Sequence, residues 1–383
     1  MVIYMKLAYI TTAEILGPST SGGIQCCKRN LSLLKQVFGE DNVHICAITG
    51  NKSYMTGAER NLTVFYSENS KLTSHLKYAF SGRRWFSKKT ETAVIECITQ
   101  LGCDFVFVES SINGFLQERL PKNLRQILFI HNVERVHSIT RVYKQPLRLF
   151  VVPLSILNEA KAIKNADIVI ALNARDSVLL QKYYNREADM ILPVTFDDNF
   201  TPTEGSQQAN HRSTLHLLFV GSLINLNEQG ITWFIDNVMP HVNAELTVVG
   251  KSFEKRRDKL QRNNVNIIGS VDDLSQYYSN ADAMVIPILL GGGMKVKTAE
   301  ALMYGKPMFA TNEALEGYEV EGLQNVYRCN TAEEYIEAIN AYAATPPFTP
   351  VDMNIRKTFL EKYHTPSYAS ALRDLLLGGR STI

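Results

Sequence analysis

Twice along the chain, short runs rich in β-branched and apolar residues alternate with amphipathic stretches long enough for helices. That repeat constrains the fold more than any other feature, because such alternation is the mark of parallel sheets covered by helices. In the first half the strand candidates are 6–11, 44–49, 104–109, 127–131, 168–172 and 190–193, with helices at 24–38 and 155–165. In the second half they are 216–221, 245–250, 265–269, 283–288, 307–311 and 325–329, with helices at 230–242, 253–262, 274–281 and 295–304. Between the halves, 201–214 is polar, rich in Thr, Gln, Asn and Ser, and includes Pro202 and Gly205, as a linker does. A chain of 383 residues also exceeds what one hydrophobic core usually serves. The expected class is therefore α/β with two Rossmann-like domains, 1–200 and 215–365, and a last helix at 366–379 that packs back on the first. Open sheets of this kind bind ligands at the carboxyl ends of their strands, so two of them are expected to face a central cleft.

Composition removes several classes of function. A formal net charge of +2 leaves no global basic field, so no nucleic-acid partner is expected. The six cysteines show no Cys-x-x-Cys spacing, and all but Cys329 lie in the first third, which fits reduced thiols of a cytoplasmic protein. The N-terminus has no charged leader, and the most apolar later stretch, 147–157, is broken by Arg148 and Pro153. No Asp-x-Asp and no clustered His/Cys spacing is present, so neither a metal nor another cofactor is expected.

The most informative local pattern follows the strand candidate 283–288: Gly291, Gly292, Gly293, Met294, Lys295, Val296, Lys297, Thr298, Ala299, Glu300. Glycines let a backbone approach a bulky anion, and the start of the next helix offers free amides and partial positive charge. Lysine opposes the helix dipole in a first turn, yet two stand here; a bound diphosphate would reverse that cost. Glu300, three residues after Lys297, shares its helical face and can accept from two ribose hydroxyls. A tight turn with solvated charges is the plainer alternative, but strand, glycines, lysines and glutamate in this order favour a ligand.

At this point the segment resembles the donor site of retaining GT-B glycosyltransferases, especially glycosyltransferase family 4. The likeness runs through Phe219-Val220-Gly221-Ser222, Leu246 to Gly250, Asn280-Ala281-Asp282, Lys297 to Leu302, Gly305-Lys306-Pro307 and Glu316-Gly317. The resemblance implies a GT-B fold and a nucleotide-sugar donor held by Gly22, Gly23, Gly292, Gly293, Met294, Lys295, Lys297 and Glu300. Lys295 and Lys297 would meet the diphosphate and Glu300 the ribose, with 250–252 and 269–273 bordering the base. Two departures stand out. Many members carry an acid eight positions before the ribose glutamate, where this chain has Gly292. Many also place Arg and Lys after the first strand of this domain, and 222–227 here has neither.

In the first half, Gly22 and Gly23 lie in an expected loop between the strand 6–11 and a helix beginning near Ile24. A Gly-Gly pair is often only a turn; the resemblance places it across the cleft from the donor. His131-Asn132-Val133-Glu134 ends another strand, and the resemblance makes His131 the catalytic candidate, near the donor sugar or acceptor. A histidine satisfied by local backbone is the alternative. Asp167 reads as structural, and Asn173 and Arg175 stand at the next strand end.

Together these readings describe an enzyme moving a sugar from a nucleotide-sugar to a saccharide or lipid-linked acceptor, as in bacterial-type surface polysaccharide or glycoconjugate synthesis. Retention by front-side attack and independence of metal are what the resemblance implies. Residues 74–89 mix Lys77, Arg83, Arg84, Lys88 and Lys89 with Tyr78, Phe80, Trp85 and Phe86, a composition suited to peripheral contact with a membrane's cytosolic face. A solvated helix face is the commoner origin of such runs. Two rivals stay open: a sugar-nucleotide epimerase of the same fold, and a non-catalytic nucleotide-sugar binding module.

Overall fold

The computed structural model of the protein describes residues 5–17, 22–55, 60–67, 87–142, 149, 152–200, 214–291, 293–348 and 351–378. The chain forms two compact units, one of Met1–Pro193 with Tyr368–Ile383 and one of Val194–Ser367. The segments 201–213 and 74–86, read above as most of a linker and most of a membrane-contacting stretch, lie outside the described residues, as does Gly292.

Unit 1 is built on a seven-stranded parallel sheet in the order β3-β2-β1-β4-β5-β6-β7. Its strands are β1 (Leu7–Thr12), β2 (Val43–Thr49), β3 (Leu62–Tyr66), β4 (Phe105–Glu109), β5 (Arg125–Ile130), β6 (Ile168–Ala171) and β7 (Met190–Ile191). β1 and β4 are buried along nearly their whole length, as strands covered by helices on both faces must be. The chain returns to this unit at its far end: Leu372 and Leu376 of the helix Pro366–Leu377 are buried, and Arg125 donates to the carbonyl of Leu376 (2.9 Å).

Unit 2 holds a six-stranded parallel sheet in the order β10-β9-β8-β11-β12-β13. The strands are β8 (Leu215–Val220), β9 (Ala244–Val249), β10 (Val265–Ile268), β11 (Ala283–Ile286), β12 (Met308–Ala310) and β13 (Val326–Arg328). Both sheets therefore reverse strand order beside their first strand, at β1/β4 and β8/β11, the crevice where open sheets take ligands. Two parallel-sheet α/β units are the class expected from the alternation.

Details depart from expectation for physical reasons. Residues 194–200 belong to unit 2, because Phe196 bridges His364 and Asp198 pairs with Arg356. The helix expected at 230–242 spans Asn225–Asn237, with Gly230 inside it. A Cβ on Gly230 would lie 1.9 Å from the carbonyl oxygen of Pro287, so this glycine marks a close helix–sheet approach rather than a helix start. The stretch 253–262 divides into a 3-10 turn, Phe253–Arg256, and one helical turn, Arg257–Leu260. Gly22 and Gly23 open the helix Gly22–Phe38 instead of preceding it.

Candidate functional site

At the switch point of unit 2, the loop after β11 leads into the helix Val296–Met303, whose N-cap residue is Lys295. No side chain caps this helix, and its first turn carries no acid. Gly293 is in the left-handed region (φ 66°), which favours glycine, and Met294 beside it is buried.

The two lysines have different surroundings. Lys295 Nζ donates to Glu313 (2.7 Å) and to the carbonyl of Gly293 (2.6 Å), so its charge is already balanced by a carboxylate. Lys297 is buried, and its Nζ donates to Asn227 Oδ1 (2.7 Å) and stands 4.3 Å from the centre of the Phe219 ring. Asn227 is itself fixed, since its Nδ2 donates to the carbonyl of Ser222 (2.8 Å). Gly221, at the end of β8, makes room: a Cβ there would meet Lys297 Nζ at 2.9 Å. Burial lowers the Lys297 amine to about 7, a shift opposed by Glu300 and reinforced by Lys295.

Glu300, one turn further along the same helix face, is partly buried, and Tyr278 donates to its Oε2 (3.1 Å). Burial raises the Glu300 carboxyl to about 7, against the lowering effects of Tyr278 and Lys297. Tyr278 is held by a parallel stack on Tyr304, ring centres 4.2 Å apart. The pair Lys297 and Glu300 thus places a cation and an acid, both costly to bury, at the sheet's ligand edge.

Unit 1 has a second constellation at its own strand ends. His131, just past β5, has Nε2 at 2.6 Å from Glu109 Oε2 and 3.8 Å from Cys27 Sγ. Glu109 closes β4 and is buried; Tyr9 (2.5 Å) and Asn30 (2.9 Å) both donate to its Oε1. Burial alone would raise the Glu109 carboxyl, but the bonds from His131, Tyr9 and Asn30 outweigh it and hold the group below its ordinary value. An ionised Glu109 only accepts, so the ring nitrogen that faces it, Nε2, is the donor. Burial and the charge of Glu109 push the Cys27 thiol well above its usual value, which keeps that sulfur protonated. Ser110, next in the chain, holds φ 83°, a conformation rare outside glycine.

The remaining sequence candidates find these places. Gly22 and Gly23 are exposed in the first turn of their helix, with open space where a Cβ on Gly23 would stand. Glu134 is buried at the start of the helix Glu134–Val142, whose first amides are capped by Glu159: Glu134 N–H (2.7 Å) and Arg135 N–H (3.0 Å) donate to it. Asp167 accepts from the amide of Gln126 (2.7 Å) at the start of β5, Asn173 caps the helix Ala174–Tyr184, and Arg175 lies 3.7 Å from Asp176. The sequence reading passed over Asn227, Tyr278 and Glu313, and over Glu109, whose one signal was an acid at the carboxyl end of an apolar strand.

Comparison with known proteins bears on the same region. Residues 214–344 match the family model described as "Glycosyl transferases group 1". That stretch lies within unit 2 and includes Lys295, Lys297 and Glu300. No curated protein matches the sequence. Among solved structures, sucrose-phosphate synthase from Thermosynechococcus elongatus is similar at TM-score 0.71 and 16% identity, covering 98% of this chain and 100% of that one. Anabaena HepE in complex with UDP is similar at TM-score 0.67 and 14% identity, again covering 98% and 100%. The lipopolysaccharide outer core galactosyltransferase WaaB, in its apo form, reaches TM-score 0.66 at 13% identity over the same shares. At such identities the likeness establishes the fold, GT-B with two Rossmann-like units.

Proposed function

We propose that the protein is a glycosyltransferase that moves a sugar from a nucleotide-sugar donor to a saccharide or lipid-linked acceptor. The observation that carries this reading is the buried Lys297 held by neutral Asn227 and Phe219, one helical turn from Glu300, inside the region matched as a group 1 glycosyl transferase. A buried ammonium with neutral partners favours an anion, and the uncapped helix start beside it adds amides and dipole. A donor diphosphate supplies that anion, and the same groups then stabilise the charge that develops on it as the sugar departs. Glu300 accepts from the ribose. HepE, similar in fold, is described in complex with UDP and with UDP-glucose, which supports a ligand of this class.

In this reading Lys297 is the principal diphosphate contact. Lys295 joins it when its bond to Glu313 rearranges, and Gly293 and Met294 form the backbone bed. Gly22 and Gly23 contribute amides, and His131, oriented by Glu109, serves the transferred sugar or the acceptor. The lysine and the helix amides take the place a divalent ion would have at the diphosphate, so transfer proceeds without one. Front-side attack, with the departing phosphate taking the acceptor proton, gives retention. The setting proposed is surface polysaccharide or glycoconjugate synthesis at the cytoplasmic face of a membrane, reached through 74–89. No helix among the described residues is long and apolar enough to cross a membrane.

The test is incubation of the full chain with a panel of nucleotide-sugars, with and without EDTA, and measurement of nucleoside diphosphate release. Release from at least one donor that is unaffected by EDTA and lost in Lys297→Ala supports the proposal. Tight nucleotide binding without release from any donor would instead identify a binding module.

A further inference from the structure

Away from both constellations, unit 1 gathers a third set of chemically capable side chains. His44 and Cys46 stand two residues apart on β2, so both project to one face of the sheet. The helix Lys88–Leu101 packs on that face, burying Val94 and Ile98 in the same apolar cluster as Cys46, and it brings Cys97 to the edge of the contact. One donor atom from each of His44, Cys46 and Cys97 lies within 4.8 Å of the others. Thr63, opposite Cys46 on β3, adds an oxygen 2.8 Å from His44 Nε2 and 3.8 Å from Cys97 Sγ.

Buried cysteines are often no more than small apolar residues. Here two sulfurs, a ring nitrogen and a hydroxyl converge beside the apolar contact that Val94 and Ile98 make with the sheet. His44 and Cys97 are partly exposed, so the cluster has an entry path from solvent. Thiolate and imidazole ligands of one tetrahedral ion, at about 2.3 and 2.0 Å from it, stand roughly 3.5 Å from one another. The three donor atoms, all within 4.8 Å of one another, stand near that spacing. Two sulfurs and one nitrogen are a soft donor set, suited to a thiophilic closed-shell cation and not to magnesium or calcium.

We propose that His44, Cys46 and Cys97 form a binding site for a thiophilic d10 cation, probed here as Zn²⁺, with water or the Thr63 hydroxyl as the fourth ligand. On binding, both cysteines meet the metal as thiolates, any thiol proton passes to solvent, and no oxidation state changes. The site ties β2 to the helix that covers it. It belongs to the stability of unit 1 and stands apart from the proposed sugar transfer.

The test uses the full chain, reduced and stripped of metal with a chelator. Zn²⁺ is titrated against a chromophoric competitor, and Co²⁺ is used as a spectroscopic substitute. The expected result is one equivalent bound per chain, a Co²⁺ complex with tetrahedral d–d bands, and sulfur-to-metal charge transfer of two-thiolate intensity. Outer partners of metal sites alone change affinity about 10–100-fold, so His44→Gln and Cys97→Ser, both at partly exposed positions, are expected to weaken binding at least that much. His131→Ala and Cys329→Ser leave it unchanged. Absence of stoichiometric binding in the wild-type chain overturns the proposal. So does one-thiolate intensity that survives His44→Gln and disappears in His131→Ala, because the ion would then sit on Cys27, Glu109 and His131.

Discussion

Lys297 is a cation removed from water and given an amide oxygen and an aromatic face as partners. Its amine is lowered to about 7, chiefly by burial, so at pH 8 most free molecules carry it neutral. In the proposed complex a bound diphosphate would restore the charge and raise that value, so binding at pH 8 is expected to take up about one proton. The free amine must gain a proton to meet the anion, so affinity is expected to fall as pH rises above 7. Calorimetric titration of a nucleoside diphosphate in buffers of differing ionisation enthalpy measures this, and the uptake is expected to vanish in Lys297→Met. Glu300 gives a second residue-scale prediction. If its carboxylate accepts from both ribose hydroxyls, Glu300→Gln weakens a ribonucleotide by about 1.5–3 kcal/mol, as for hydrogen bonds to charged groups, and leaves a 2′-deoxy analogue less affected. Competition binding of the two nucleotides checks it; equal losses would contradict the ribose assignment.

At the scale of elements, the site depends on how closely the helix Asn225–Asn237 and the turn after β9 approach β8 and β11. Gly230 lies under Pro287, and a Cβ on Gly250 would stand 1.8 Å from the carbonyl oxygen of Gly221. Gly230→Ala is expected to destabilise unit 2 by about 1–3 kcal/mol, the usual cost of overpacking, seen as a lower urea midpoint. It also displaces Asn227 and so weakens nucleotide binding. The strands were legible because parallel strands buried on both faces read as continuous apolar runs, as in Ile168–Ala171 and Ala283–Ile286. β3 was not, being five half-buried residues at the sheet edge. The glycines, both lysines and Glu300 could be read because one loop and one helix turn carry them all. The division of labour between the lysines could not: Glu313 lies 18 residues beyond Lys295, and Asn227 is 70 residues from Lys297. Glu109 and His131 are 22 residues apart and meet only because β4 and β5 are neighbours.

At the scale of the whole molecule, the chain's last helix returns to the first unit. Leu372 and Leu376 are buried there, each contributing about 1.5–3 kcal/mol on transfer from water. A chain ending at Ser367 is therefore expected to show a lower calorimetric transition for unit 1, while the transition that nucleotide raises, that of unit 2, stays where it was. A nucleotide-raised transition that falls with the truncation would contradict this division. Unit 2 is proposed to hold a nucleoside diphosphate on Lys297 and Glu300. The most direct test is titration of the uridine, guanosine, adenosine, cytidine and thymidine diphosphates into the wild-type chain and into Lys297→Ala. Removing one partner of a buried charge contact costs about 2–5 kcal/mol, so the account predicts one-to-one binding of at least one diphosphate, weakened at least thirtyfold in a variant that remains folded. No binding by any of the five, or equal affinity in the two proteins, would contradict it.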